Sequence, residues 1–183
     1  MDLTDEELNN FNKMCVILDF QRKDIVIKEN EINTSLYFII NGLVRNYILT
    51  PKGAEKTFNF RMENMTFTGY SFYNQYFSKL NVECMEDCKM IQVPLEANLY
   101  IFDKLKRGEK LERFLAEAHI MELMNYIINN HTLSVLERYI DLDTSFPNIN
   151  QRVPQHILAS YLGISQEHLS RIKKSRMSIE AYS

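Results

Sequence analysis

The C-terminal third of the chain carries two sets of apolar residues at helical spacing, separated by a glycine. The first set is Ile157, Leu158, Tyr161 and Leu162, and the second is Leu169 and Ile172. Gly163 lies between them, where a left-handed backbone conformation would turn the chain sharply out of the first helix. Ser165 is a preferred N-cap residue for the second helix. This order of apolar residues, glycine and serine predicts a helix-turn-helix.

Upstream, the pattern of apolar and polar residues is different. Thr4 and Glu7 form a capping-box sequence that predicts a helix over residues 4–13. The predicted strands that follow are residues 24–28, 35–40, 43–49, 55–60, 66–68, 81–85 and 88–93. Turn sequences such as Asn41-Gly42 separate them, and many short strands of this kind predict a β-sandwich or barrel. Residues 69–80 break the alternation and are expected to form a short helix with loops.

The helical pattern returns after the last predicted strand. Residues 95–105 are predicted as one helix and residues 109–130 as a longer one. Apolar residues cover more than half of the circumference of the longer helix, so it must bury two faces. A second copy of the chain is the simplest partner, through a coiled-coil-like seam, and a central helix in a monomeric core is the alternative. Thr132 is expected to cap a further helix through Asp143, with residues 145–150 as a linker.

Charge is unevenly distributed along the 183 residues. The chain carries 21 basic and 24 acidic residues, which gives a net charge of −3. Residues 151–183 hold 5 basic and 2 acidic residues (+3), so residues 1–150 hold 16 basic and 22 acidic residues (−6). An acidic body with a basic end is typical of a protein that contacts nucleic acid at one place only.

Features that predict secretion or membrane insertion are missing from the sequence. The N-terminus is acidic, and no apolar run approaches the ~18 residues of a membrane span. We therefore expect a cytoplasmic protein without a membrane partner. In a reducing compartment Cys15, Cys84 and Cys88 are expected to be free thiols, although the spacing of Cys84 and Cys88 also permits a thiol switch.

Polar residues of the second helix in the helix-turn-helix suit the edges of DNA bases. Four side chains are expected to face outward near its N-terminus, namely Gln166, Glu167, Ser170 and Arg171. Arg171 can donate to guanine O6 and N7, Gln166 can pair with adenine, and Glu167 can accept from the cytosine amino group. The basic residues that follow would meet phosphates, and they are Lys173, Lys174 and Arg176. The alternative is an ordinary solvated helix face.

Catalytic and metal-binding patterns do not emerge from the sequence. All four histidines lie in predicted helices, outside the β region where a metal-binding barrel would need its ligands. No phosphate-binding glycine loop, nucleophile elbow or His-Glu-x-x-His pattern is present. We therefore expect no enzymatic activity, metal or cofactor. Aromatic residues of the β region either fill its core or line a pocket for a small effector, and they include Phe38, Tyr47, Phe60, Phe67, Tyr70 and Phe72.

The order of a β region, a long apolar helix and a helix-turn-helix resembles that of the Crp/Fnr family of bacterial transcription regulators. The resemblance covers nearly the whole chain and is strongest in residues 37–45, Glu137-Arg138-Tyr139, residues 152–155 and residues 162–171. It implies an α+β fold in three parts. These are an N-terminal antiparallel β-roll, jelly-roll-like, in residues 1–108, a dimerisation helix in residues 109–131, and a helix-turn-helix domain in residues 132–183. As a departure from the family, few residues follow the second helix of this domain, so its wing is expected to be reduced or absent.

The same resemblance implies a homodimer that binds a near-palindromic operator in double-stranded DNA, with RNA polymerase as a candidate partner. It places Gln166, Glu167, Ser170 and Arg171 at base-reading positions and Gln155 at a phosphate-contacting position. The predicted DNA-binding residues are therefore Gln155, Ser165, Gln166, Glu167, Ser170, Arg171, Lys173 and Lys174.

The sequence departs from the family members that bind cyclic AMP. Those members hold the ribose with a Gly-Glu pair and the cyclic phosphate with an Arg-Ser pair. The corresponding positions here are Gly69-Tyr70 and Ser78-Lys79, which lack both charged anchors, so no response to cyclic AMP is expected. Three cysteines also fall short of the four that hold the iron–sulfur cluster in the oxygen-sensing branch.

Two alternatives to an effector-independent regulator stay open. One is a β-roll binding module without DNA activity. The other is a regulator gated by an unknown small molecule in the β-roll, with candidate pocket residues Phe60, Phe67, Gly69, Tyr70, Ser71 and Phe72.

Overall fold

Eight strands and seven helices make up the part of the chain that the computed structural model describes, which is residues 3–69, 72, 74 and 76–180. The strands are β1 (Val16–Phe20), β2 (Ile25–Ile27), β3 (Ser35–Asn41), β4 (Val44–Leu49), β5 (Glu55–Arg61), β6 (Thr66–Thr68), β7 (Asn81–Cys84) and β8 (Cys88–Pro94). The helices are α1 (Asp5–Met14), α2 (Leu95–Lys104), α3 (Gly108–Thr132), α4 (Val135–Ser145), α5 (Ile149–Arg152), α6 (Gln155–Leu162) and α7 (Gln166–Glu180). This order confirms the predicted α+β architecture.

The strands form two four-stranded antiparallel sheets that enclose a core. One sheet has the order β1-β8-β3-β6 and the other the order β2-β7-β4-β5. Alternate residues of each strand point into the space between the sheets. This sandwich core consists of Ile27, Tyr37, Ile39, Val44, Phe67, Val82, Cys84, Cys88 and Met90. Tyr37 stacks on Phe67 with ring centroids 5.2 Å apart, and Cys84 and Cys88 are buried free thiols.

The connection between β6 and β7 differs from the expectation. The described residues of the segment 69–80 contain no helix. Phe77 instead forms an isolated antiparallel bridge with Ile32. The Ser78 hydroxyl holds the following turn, because it donates to the Leu80 carbonyl at 2.8 Å and accepts from the Leu80 N–H at 3.2 Å. The break in alternation therefore marks the crossing from one sheet to the other.

The start of α4 also differs from the expectation. Ser134, and not Thr132, is its N-cap: the Ser134 hydroxyl accepts from the Glu137 N–H, and the Glu137 carboxylate accepts from the Ser134 N–H. This capping box fixes the helix start because it satisfies two N–H groups at once. Thr132 ends α3. The predicted linker at 145–150 is wrong in part, because α5 begins at Ile149, whose side chain is fully buried.

The long helix α3 lies largely exposed. Gly108, its first residue, is buried at the corner with α2, where a Cβ would lie 1.8 Å from the Phe102 carbonyl oxygen. Its large apolar side chains are 41–65% exposed, and they are Leu111, Phe114, Leu115, Ile120, Met121, Leu123, Met124, Ile127 and Ile128. The chain by itself does not bury this helix, which argues against a central helix in a monomeric core. Neither α3 nor any other helix in the described part of the chain is long and apolar enough to cross a membrane.

A second core joins the helices to the β-roll. It combines Leu43, Phe60 and Met85 from the β-roll with apolar residues of α4 to α7. Phe60 is fully buried, and its ring contacts those of Phe146 and Tyr161 at centroid distances of 6.0 and 5.3 Å. The helix-turn-helix is therefore docked on its own β-roll by apolar packing.

Polar contacts reinforce this docking at two places. The Ser160 hydroxyl of α6 accepts from the Thr57 N–H of the edge strand β5 at 3.1 Å and donates to the Glu55 carbonyl at 3.2 Å. Arg152, at the end of α5, donates from three nitrogens to the carboxylates of Glu63 and Glu86 at 2.5 to 3.2 Å. Arg152 therefore ties the start of the helix-turn-helix to two turns of the β-roll.

This ion pair shifts the ionisation of Glu63. Burial raises the pKa of its carboxyl, but hydrogen bonds from Arg152 and from backbone N–H groups, including that of Gly42, outweigh burial and bring the pKa below 4.5. Because the folded-state pKa lies below the unfolded-state value, the stabilisation is fully present at neutral pH. It is lost as the pH falls through the folded-state pKa.

We expect Arg152→Gln to lower the free energy of unfolding at neutral pH by about 1–3 kcal/mol, because charged hydrogen bonds to two partly buried carboxylates are removed. The difference from the wild type should shrink as the pH falls through the lowered folded-state pKa of Glu63, where this carboxyl becomes protonated. Urea denaturation at neutral and acidic pH measures both effects. Arg22→Gln, at an exposed arginine, is the matched control and should change little. An equal decrease at both pH values would show that Arg152 acts through packing alone.

Candidate nucleic-acid interface

The turn between α6 and α7 is built by a glycine and a capping serine. Gly163 has a φ of 72°, in the left-handed region, and ends α6. The N–H groups of Gly163 and Ile164 donate to carbonyls in the last turn of α6 at 3.2 and 3.0 Å, as in a Schellman motif. The Ser165 hydroxyl then accepts the His168 N–H at 3.2 Å and caps α7. The predicted helix-turn-helix is confirmed at this turn.

Apolar packing holds the two helices together. The residues buried in this packing are Ile157, Leu158, Ala159, Leu162, Leu169 and Ile172, which are at most 7% exposed. Tyr161, also predicted for the apolar face, lies at the edge of the second core. Its ring packs against Phe60 and, at 6.3 Å, against Tyr126 of α3. The face of α7 opposite Leu169 and Ile172 is therefore available to solvent.

Predicted base-reading residues lie on that solvent-facing side. Gln166, Glu167 and Arg171 are exposed and Ser170 is half-buried, while Gln155 and Ser165 are exposed at the starts of the two helices. The pKa of Glu167 lies below its usual value because its carboxylate accepts hydrogen bonds from its own N–H and from Ser165. Glu167 is therefore ionised at neutral pH and accepts hydrogen bonds without donating any.

The basic residues that follow have different surroundings. Lys174 is exposed, whereas Lys173 is half-buried, and burial lowers the pKa of its ammonium group although Asp143 opposes this. Arg176 forms an ion pair with Asp143 and lies over the Tyr139 ring, 5.7 Å from its centroid. The structure therefore gives Arg176 a contact that anchors α7 to α4, and the expected phosphate contact stays a prediction.

The candidate effector residues that the structure describes lie in different parts of the fold. Phe67 lies in the sandwich core, whereas Phe60 lies in the second core with the helices. Gly69 and Phe72 are buried, and Tyr70-Ser71 lies outside the described residues. Within the described part of the chain, no three His, Cys, Asp or Glu side chains are grouped so that they could hold a metal ion.

Sequence reasoning missed the residues that dock the helix-turn-helix on the β-roll. Ser160 and Arg152 both find their partners 66 to 105 positions away along the chain. Periodicity and capping rules describe local structure, so neither of them indicates contacts at this separation. Only the family resemblance drew attention to the segment 152–155.

Comparison with known proteins identifies the architecture. Residues 17–104 match the family model of the cyclic nucleotide-binding domain. The solved structure of FixK2 from Bradyrhizobium japonicum is similar at a TM-score of 0.77 and 14% identity, over 91% of this chain and 86% of that chain. A regulator assigned to the Crp/Fnr family from Eubacterium rectale matches at a TM-score of 0.73 and 17% identity, over 97% and 85%. The chain has the Crp/Fnr fold.

A third similar structure is that of CLP from Xanthomonas campestris, a global regulator responsive to c-di-GMP. It matches at a TM-score of 0.65 and 14% identity, over 97% of this chain and 93% of that chain. A search of curated proteins gives no match. These similarities confirm the predicted order of a Crp/Fnr β-roll followed by a C-terminal helical part.

We expect Gly163→Ala to lower the free energy of unfolding by about 1–2 kcal/mol, which is the cost of a Cβ in the left-handed region. Apart from its two chain neighbours, no described residue has an atom within 4 Å of the added Cβ, so the cost comes from the backbone conformation. Gly163→Asn should cost less, because asparagine tolerates this conformation. Chemical denaturation of the three proteins measures the difference, and equal destabilisation by both substitutions would contradict the role given to the backbone.

Proposed function

We propose that the chain is a sequence-specific DNA-binding transcription regulator that acts as a homodimer in the cytoplasm. The observation that carries this proposal is the exposed N-terminal edge of α7, on a helix-turn-helix with a complete apolar core. Gln166 and Arg171 lie exposed there, which is where a recognition helix meets base edges. The shared fold with FixK2 and with the regulator from Eubacterium rectale supports the same function.

In this proposal α7 enters the major groove with its N-terminus first. Arg171 donates to guanine O6 and N7, Gln166 pairs with adenine, and the ionised Glu167 accepts from a cytosine amino group. Gln155 and Lys174 contact the phosphates on either side. The phosphate contacts position the helix, and the base contacts supply the sequence preference.

The exposed apolar surface of α3 supports the homodimer. Nine large apolar side chains of one helix are 41–65% exposed, and a contiguous apolar surface of this kind marks an interaction site. With a twofold axis beside α3, the apolar surface of one chain would pack against the same surface of the other chain. The axis would also present two copies of α7 to half-sites one helical turn apart, ~34 Å, which makes the operator near-palindromic.

The proposed regulator does not respond to cyclic AMP. Ser78 stands where the cyclic AMP binders hold the phosphate, but it is 2% exposed and its hydroxyl is used by Leu80. Gly69 is followed by a tyrosine in place of the ribose-binding glutamate. Without a carboxylate and a guanidinium at these positions, the ligand loses both charged anchors.

We expect Arg171→Ala to weaken binding to an operator selected from random duplexes by about 1–3 kcal/mol per half-site and to relax its base preference. Lys174→Ala should weaken all duplexes alike and reduce the slope of log K against log salt by about 0.9 for each phosphate that the lysine no longer neutralises. Lys13→Ala, on α1, is the control. Fluorescence anisotropy at several salt concentrations measures all three variants. If Arg171→Ala affects random and selected duplexes equally, or if the wild type enriches no duplex, the DNA-reading role is wrong and a β-roll binding module is favoured.

We expect Met121→Glu to raise the dissociation constant of the dimer at least tenfold, about 1.4 kcal/mol, because it puts a carboxylate into an apolar seam. Leu8→Glu makes the same kind of change at an apolar residue of α1 that is 44% exposed, and it should leave the dimer intact. Sedimentation velocity over a range of concentrations measures both variants. A wild-type chain that sediments as a monomer at micromolar concentration would contradict the proposed dimer.

A further inference from the structure

A cavity of about 570 Å³ lies where the β-roll, the long helix and the helix-turn-helix meet. Its walls come from β5, α3, α4 and α6, so it touches every element that positions α7. Small-molecule sites commonly have volumes of about 300–1,000 Å³ and combine apolar or aromatic walls with a few polar groups. This cavity has that composition and is separate from the sandwich core.

One wall of the cavity carries an arginine and an aspartate on the same face of α4. Arg138 and Asp141 are three residues apart, so their side chains lie side by side. The Arg138 Nη1 donates to the Asn130 side-chain oxygen at 2.6 Å, while its Nε is buried and has no hydrogen-bond partner in the described part of the chain. Asp141 accepts one long hydrogen bond, at 3.4 Å, from Asn129.

Neither charge is neutralised by an ion pair with another described residue. The second arginine of the cavity, Arg61, differs in this respect because it is paired with Glu122 of α3. Arg138 and Asp141 are therefore an adjacent positive and negative group, neither in an ion pair with another described residue, and both are available to a ligand in the cavity. A ligand that carries both a carboxylate and an ammonium group complements the two charges at once.

Aromatic rings form another part of the wall. Tyr126 of α3 and Tyr161 of α6 lie with ring centroids 6.3 Å apart and tilted by 52°, and Phe58 of β5 also lines the cavity. The pKa of Tyr161 is raised to about 12, mainly by burial and next by the nearby Tyr126. The Tyr161 phenol is therefore neutral at physiological pH. These rings suit a flat aromatic group, through offset or edge-to-face contacts.

We propose that this cavity binds an aromatic α-amino acid, with its carboxylate on Arg138, its ammonium group on Asp141 and its ring against Tyr126 and Tyr161. The ligand would bridge α4 to α3 and α6 and so bias the orientation of α7. This regulatory consequence rests on the proposed DNA-binding function, whereas the binding site itself does not.

Tryptophan is a sharp probe of this site because the chain contains no tryptophan. L-Tryptophan is excited at the red edge of its absorption, where tyrosine does not absorb. When the full-length protein is added, the emission of the bound tryptophan should shift to the blue and its anisotropy should rise. Tryptamine, which lacks the carboxylate, and indole-3-propionate, which lacks the ammonium group, should each bind at least tenfold more weakly. Absence of any saturable change with tryptophan would overturn the proposal, as would equal affinity for all three compounds.

Two variants separate recognition of the ligand from a merely structural effect. Asp141→Asn should weaken tryptophan at least tenfold and leave indole-3-propionate unchanged, whereas Arg138→Gln should weaken tryptophan and leave tryptamine unchanged. A variant that simply unfolds the cavity would lose all three ligands together. Arg22→Gln, remote from the cavity, is the matched control. Unchanged tryptophan affinity in both cavity variants would overturn the assignment of the two charges.

A second arm tests the regulatory consequence. The affinity for the selected operator is measured with and without saturating tryptophan, and a change of about fivefold or more is expected for coupled sites. Tryptophan binding without a change in operator affinity overturns the regulatory role and leaves the site intact. Tryptophan binding by a protein that selects no duplex means that the proposed function fails, while operator binding without tryptophan binding means that the cavity proposal fails.

Discussion

The burial of Phe60 between the β-roll and the helices is the contact on which the rest of the molecule depends. Its ring fills the space between Phe146 and Tyr161, and through them it joins β5 to α4 and α6. Arg152 and Ser160 add directed polar contacts around this apolar centre. Apolar burial supplies most of the stabilisation, and the hydrogen-bonded pairs fix which face of α6 meets β5. Helix α7 consequently has a defined position relative to the β-roll.

This arrangement leaves α3 with little of its apolar surface covered. The sandwich core contains inward-facing residues of the strands, and the second core contains apolar residues of α4 to α7. Neither core includes the exposed apolar residues of α3, such as Phe114 and Met121. Along α3, Glu122 and Tyr126 make side-chain contacts with the rest of the chain, to Arg61 and Tyr161. A helix of this composition is stable in water only if another surface covers it, which is the physical reason to pair it with a second copy.

Local periodicity accounts for what could be predicted from the sequence. Strands β2 to β8 and the α6–α7 turn were predictable because alternation, helical spacing and a left-handed glycine such as Gly163 depend on adjacent residues. Strand β1 (Val16–Phe20) was not among the predicted strands. The start of α4 was misplaced because two capping residues, Thr132 and Ser134, compete and only the second has a glutamate three positions on. Residues 69–80 were expected to form a short helix with loops because clustered aromatic residues carry no period of their own, and the described residues of this segment contain no helix.

Some surroundings of the candidate site residues could be predicted from adjacent residues, and others could not. The exposure of Gln166 and Arg171 followed from the inward positions of Leu169 and Ile172 on the same helix. The ion pair of Arg176 with Asp143 did not, since it depends on how α7 lies across α4. Contacts between elements distant in the chain arise from the packing of whole surfaces, and a single sequence does not display them.

The same contacts determine where a signal can act on α7. Its orientation is set by α6, through the packing around Leu169, and by α4, through Arg176 and Asp143. Inside the sandwich, Tyr37 and Phe67 stack among buried side chains, so a ligand between them would have to displace these side chains. The junction of β5, α3, α4 and α6 is hollow instead, and a molecule bound there touches both helices that hold α7. A ligand shifts an equilibrium only through contacts that differ between two states, and this junction is where such contacts would move with α7.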